Sequence, residues 1–347
     1  MNKRMTVAAL AAALMMVLSA CGGGGTPASS AAGSEAAESK PVTLKLASQD
    51  TAESLSGELL TAFKEQVEEQ SGGTITVDLH FSGTLGSLND MIEGISMGTI
   101  DMATAGMGAF QSYCDNMMIF DNYLIPGPDE FQTMWNSDVG QQVLAQLRDE
   151  SGIYAIGYNL AGVGHVEYWT NKDYPSLDSL KNVNLRTNGT KTVNLACEAI
   201  GAVGVGVSNS EQYNAFQTGM VDAMSLDASN MVDMGFLQDG MYELDIIENY
   251  LASGLVISES TWEKLSAEQQ AVLLACAKTY SYDSAVEYQD KLANTQEALA
   301  QMHIKPCSLS EADLAEINEK VSSALKTYYA EHCDADVLEQ ALGVLGK

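Results

Sequence analysis

Three arginines occur in the chain: Arg4, Arg148 and Arg186. Arg4 belongs to a basic leader, and Arg148 sits among the charges of "LAQLRDES". Arg186 ends the short alternating run in "NVNLRTNGTKTV" and precedes a Thr-Asn-Gly turn. A planar guanidinium with five donors suits a carboxylate better than an ammonium does. The other reading is an arginine paired with an acid at a domain edge, and the residue by itself leaves both open. The remaining reactive groups are sparse. His80, His165, His303 and His332 lie without metal-ligand spacing, and Cys114, Cys197, Cys276, Cys307 and Cys333 form no CxxC. A hydrolase needs a nucleophile, a base and an orienter, and the chain has neither GxSxG nor HExxH. It is therefore expected to bind rather than to turn over, with no metal and no cofactor. Most of the cysteines read as small buried hydrophobes, with a Cys307–Cys333 bridge left open.

Charge narrows the partners. There are 17 Lys+Arg against 46 Asp+Glu, a formal charge of −29, which repels nucleic acid and anionic headgroups. Nucleic-acid binding is excluded on that ground. The first residues, "MNKRMTVAALAAALMMVLSACGGGG", place Lys3 and Arg4 before an apolar run of signal-peptide length. "LSAC" resembles the bacterial lipobox, which implies removal of residues 1–20 and lipid on Cys21; a plain secretory signal is the alternative. Residues 22–40 are Gly, Ala, Ser and Glu with little to bury. With Cys21 they read as a flexible tether, 21–40, reaching about 20 Å or more.

From residue 41 the pattern is that of elements able to hold Arg186. "VTLKLASQ", "TITVDLHF" and "IDMATAG" read as strands, with apolar faces at 55–70 and 88–95 forming the helices between them. Strand–helix–strand in series predicts parallel pairing. A long helix is expected over 129–150, from Phe131, Trp135, Val139 and Val143. Strands follow at "GIYAIGYNL", "HVEYWTN", "VNLRT", "VGVGV" and "MVDAMSL", with helices at "KTVNLACEAIG" and "SEQYNAFQTG", then mostly helix to the end. That is two α/β units in series and a helical tail. Ligands sit outside the carboxyl ends of strands in such sheets, where Arg186 stands.

Five stretches in order resemble one family: "EQSGGTITVDLHFSGTLG", "MIEGISMGTIDMATAG", "SLKNVNLRT", "IGAVGVGVSNSEQYNAFQTGMVDA" and "STWEKLSAEQQAVL". Together they resemble the dicarboxylate-binding type of solute-binding subunit of tripartite ATP-independent periplasmic (TRAP) transporters. The resemblance implies an α/β, two-lobed clamshell like a periplasmic binding protein, with an interlobe cleft and C-terminal helices. Lobe I would be residues 41–163 with 252–291, and lobe II residues 164–251 with 292–347. It implies an extracytoplasmic protein that captures a small organic acid and delivers it to TRAP permease subunits, held to the membrane by its N-terminal lipid. A tethered sensor signalling to a membrane receptor is the alternative.

By the same resemblance Arg186 pairs with the ligand's carboxylate, and Gln49 and Asn209 are polar contacts. The chain departs from the family elsewhere. His165 and Val166 stand where a second arginine is often found, so His165 is a ligand donor or a hinge histidine bonded to backbone. Asp227 stands beside Leu226 near a family asparagine, and is a helix N-cap or an anchor for a ligand ammonium or a metal ion; the cap is favoured. Trp135 and Trp169 are read as core. The pocket is expected to be less cationic than a dicarboxylate site, fitting a monocarboxylate with an apolar, aromatic or amine-bearing body.

Overall fold

The computed structural model describes residues 40–121, 123–160, 166–246, 250 and 252–347. Cys21, the leader, the tether up to residue 39 and His165 lie outside the described residues.

Strand β1 (Val42–Ala47) leads to helix α1 (Leu55–Gln70), β2 (Ile75–His80), α2 (Leu88–Met97) and β3 (Met102–Gly106). The Ser54 hydroxyl caps α1 by accepting the Gly57 N–H, and α1 buries Leu59, Leu60, Phe63 and Val67. Helix α2 starts in a reciprocal Ser87–Asp90 capping box and stops at Gly98, whose φ of 72° costs glycine little. β1 pairs in parallel with both β2 and β3, and α1 and α2 supply the crossovers that parallel strands require.

After two 3-10 segments, Met107–Ser112 and Asp115–Phe120, the helix expected over 129–150 is two helices, α3 (Pro128–Asn136) and α4 (Asp138–Ser151). Ser137 between them is extended (φ −76°, ψ 156°), and its hydroxyl accepts the Gly140 N–H to cap α4. The apolar period does not reveal this break, because Phe131, Met134, Val139, Val143 and Leu147 all enter one core. Strand β4 (Ile153–Asn159) follows.

The second unit runs through β5 (Val166–Thr170), β6 (Asn184–Thr187), α5 (Lys191–Ala199), β7 (Val203–Gly206), α6 (Gln212–Gln217), β8 (Ala223–Asp227), α7 (Ala228–Asp233) and β9 (Tyr242–Leu244). The chain continues through β10 (Ser253–Ser258), α8 (Glu259–Trp262), α9 (Ala267–Gln301), β11 (Lys305–Pro306), α10 (Glu311–His332) and α11 (Ala335–Val344).

Two sheets result, ordered β2-β1-β3-β10-β4 and β11-β9-β5-β8-β6-β7. The units are thus not simply in series. β10 follows the second unit, yet inserts between β3 and β4, antiparallel to both. It carries Leu255, Val256 and Ile257 fully buried, the continuous apolar run of a strand covered on both faces. Helix α9, 35 residues and about 50 Å long, packs on α1 and β4 and further along on α7. Phe63 of α1 meets Tyr280 of α9 edge to face at 5.8 Å. Helix α10 packs on α5, while α11 returns to α3 and α4. Trp169 is buried in the second unit's core and Trp135 packs among Phe120, Phe131 and Tyr158. Cys307 and Cys333 are not bridged: all five cysteines among the described residues are free thiols. No helix among the described residues is long and apolar enough to cross a membrane.

Candidate functional site

The carboxyl ends of β1, β3, β6 and β8 converge on a cleft of about 320 Å³ lined from both sheets. Gln49, Asp50, Thr104 and Gly106 come from the first; Arg186, Asn209, Ser225 and Asp227 come from the second.

Arg186 is the penultimate residue of β6 and only 4% exposed. Its Nε donates to the Val207 carbonyl at 2.8 Å, Nη1 to the Ser225 carbonyl at 2.9 Å and Nη2 to Asn209 Oδ1 at 2.6 Å. Three of five N–H groups are thereby fixed, which leaves one on each terminal nitrogen, the pair a carboxylate takes side by side. Among the described residues no carboxylate lies within ion-pair distance of it. Burial pushes its pKa down to about 10, the mark of a cation removed from water without a counter-charge. Arg148 is the contrast. Its guanidinium grips Glu259 through Nε at 2.5 Å and Nη2 at 2.8 Å and lies 3.9 Å over the Tyr154 ring, so its charge is spent on the fold.

The other expected residues are distributed as follows. Asn209 lines the cleft and gives its amide oxygen to Arg186. Gln49 lines the opposite wall, its Nε2 donating to the Gly86 carbonyl at 2.9 Å. Gly83, at φ 65°, passes so close that a Cβ there would press on the Gln49 amide at 3.0 Å. Asp227 caps α7: Oδ1 accepts the Asn230 N–H at 3.1 Å and the Ser229 hydroxyl, and Oδ2 accepts Asn230 Nδ2 at 2.6 Å. It also lines the cleft, and burial raises its carboxyl pKa.

Two acids were not foreseen. Asp50 lines the cleft one residue beyond Gln49. Its Oδ2 accepts the hydroxyls of Ser48 at 3.0 Å and Ser56 at 2.7 Å, while burial raises the carboxyl and those two bonds oppose the rise. Two main-chain bonds, Ser82 N–H to the Asp50 carbonyl and Gly83 N–H to the Ser48 carbonyl, fix this corner against the turn after β2. Asp121 lies deeper. It accepts Gln111 Nε2 at 2.6 Å, the Thr192 hydroxyl at 2.8 Å, the Tyr329 hydroxyl at 2.6 Å and the Tyr123 N–H at 3.1 Å. One carboxylate so moors α5 and α10 to the segment between β3 and α3. The hint in the sequence was only "SQDT" and "IFDN", acids at the end of an apolar run. Among the described residues no three His, Cys, Asp or Glu side chains are grouped to hold a metal ion.

Residues 46–332 match the model of the bacterial extracellular solute-binding proteins, family 7. A solute-binding protein of Sulfitobacter is 24% identical over 311 residues, 88% of this chain and 92% of that one. The sialic acid-binding periplasmic protein of Vibrio cholerae is 28% identical over 246 residues, 69% and 74% of the two chains. A TRAP periplasmic solute-binding protein from Shewanella oneidensis, solved with bound succinate, superposes with a TM-score of 0.78 at 19% identity, over 88% of this chain and 99% of that one. The arrangement of two α/β sheets around a cleft is thus the fold of those transport receptors, and the chain belongs to the bacterial extracellular solute-binding proteins of family 7.

Proposed function

We propose that the cleft captures a small organic carboxylate and delivers it to the membrane subunits of a TRAP-type transporter. The single observation that carries this is Arg186: a buried guanidinium on the cleft wall, oriented by three bonds, two N–H groups unspent and no counter-ion among the described residues. Supplying that counter-ion recovers part of the desolvation cost, so a carboxylate is favoured there even on an acidic molecule. The two lobes, residues 41–163 with 252–291 and 164–251 with 292–347, close on it, because the ligand touches walls built by both, with α11 crossing back to pack on α3 and α4 of the first lobe. Protein purified without added ligand and denatured for mass spectrometry should release a carboxylate-bearing molecule; release of a neutral or purely cationic molecule as the sole ligand contradicts the reading. The receptor is held at the membrane through lipid on Cys21. The wild type should then partition with membranes and Cys21→Ala should not, whereas equal solubility of both forms excludes the anchor.

A further inference from the structure

We propose that the ligand is a zwitterion, a monocarboxylate that also carries an ammonium group, with its carboxylate at Arg186 and its ammonium at Asp50. The inference rests on the carboxylate role of Arg186 and adds what the opposite wall requires. Asp50 stands on the wall built by the first sheet, and Arg186 on the wall built by the second. Both hydroxyls that reach Asp50, from Ser48 and Ser56, donate to Oδ2, and Oδ1 takes no hydrogen bond from the described residues. Burial raises the Asp50 carboxyl, and the two donated hydroxyls oppose that rise. No Lys, Arg or His among the described residues lies within ion-pair distance of Asp50, and Asp50 and Arg186 do not pair with each other.

Among the described residues lining the cleft, Arg186 is a cation on one wall and Asp50 a carboxylate on the other, each without a counter-charge, while the further carboxylate, Asp227, is engaged by Ser229 and Asn230. A molecule carrying both charges satisfies both at once. A dicarboxylate satisfies only one: Arg186 is the sole Lys, Arg or His among the described residues lining the cleft, and the second carboxylate would meet Asp50. The same preference holds at long range. A formal charge of −29 repels a dianion on approach, whereas a net-neutral zwitterion is not repelled.

Calorimetric titration of the wild type with matched trios tests this. Each trio sets an α-, β- or γ-amino acid beside the acid lacking its amine and the dicarboxylate of the same chain length, as in γ-aminobutyrate, butyrate and glutarate. At least one amino member should bind about tenfold or more tightly than both of its counterparts. In Asp50→Asn, which keeps an acceptor for Ser48 and Ser56, that preference should disappear. If that variant does not fold, the wild-type ranking still decides. The inference is overturned if no amino member binds at about 1 mM, where even −4 kcal/mol registers. A dicarboxylate or amine-free acid that binds best overturns it too, and if Arg186→Ala abolishes that binding the carboxylate reading survives. Binding of any of them that persists unchanged in Arg186→Ala removes both.

Discussion

Arg148 and Arg186 show how one residue type is put to two uses. Arg148 has a carboxylate and an aromatic face supplied by the fold; Arg186 has only neutral acceptors, two of them backbone carbonyls. Burying a guanidinium without an anion costs stability, and under the proposed function a ligand carboxylate would offset part of that cost. Asp227 is the reverse case, a cleft residue whose carboxylate is already engaged by Ser229 and Asn230. Its clearest effect is on α7. Asp227→Ala should destabilise the protein by about 1–2 kcal/mol, the range for loss of a helix N-cap. Asp227→Asn should fall between, since it keeps an acceptor for the Asn230 N–H but opposes Asn230 Nδ2. Urea unfolding midpoints at unchanged slope measure this; an alanine variant as stable as wild type removes the cap from the account.

Elements built from local pattern were legible in the sequence, and those built by distant pairing were not. The alternation of 42–47 and 75–80 and the caps around α1 and α2 are written in adjacent residues, so three parallel strands and their crossovers could be read directly. β10 could not be placed: "SGLVIS" shows a buried run, but its partners Met102–Gly106 and Ile153–Asn159 lie about a hundred residues or more upstream. The break at Ser137 was hidden by periodicity, although Ser-Asp-Val-Gly carries the residues of an N-cap. At the site, Arg186 and Asn209 were legible because the strand end and the resemblance agree, and the two meet at 2.6 Å. Asp50 was not, because its setting is made by Ser48, Ser56 and the turn at Ser82–Gly83, which only the folded chain gathers.

The whole molecule is shaped by its acids. Burial raises the carboxyls of Asp50, Asp121 and Asp227 above their ordinary 3.8. A raised carboxyl binds its proton more tightly in the folded state, so its ionisation penalises folding fully above the folded pKa. That penalty is relieved as pH falls through the folded pKa toward 3.8. Protonation also reduces the self-repulsion of a −29 chain. Carboxyls held low by hydrogen bonds, Asp90, Asp173 and Asp313, act in the opposite sense, but only below that same value. The ligand-free protein should therefore melt at a higher temperature near pH 5 than at pH 7, and lose stability again in stronger acid. A melting temperature that falls steadily from pH 7 to pH 5 contradicts this balance.

The central claim is that Arg186 holds the ligand's carboxylate, and calorimetric titration of its variants tests it most directly. The three bonds from its guanidinium also tie β6 to β8 and to the segment after β7, so Arg186→Ala should lose about 1–3 kcal/mol of stability through unpaired carbonyls. The titration is run below its melting temperature, with the carboxylate recovered from the purified protein. Arg186→Ala should weaken binding by about 2–5 kcal/mol, the cost of truncating one partner of a buried charge pair. Arg186→Lys, which keeps the charge and loses the fork, should recover only part of it. A folded Arg186→Ala protein that binds the same carboxylate as tightly as the wild type would contradict the account.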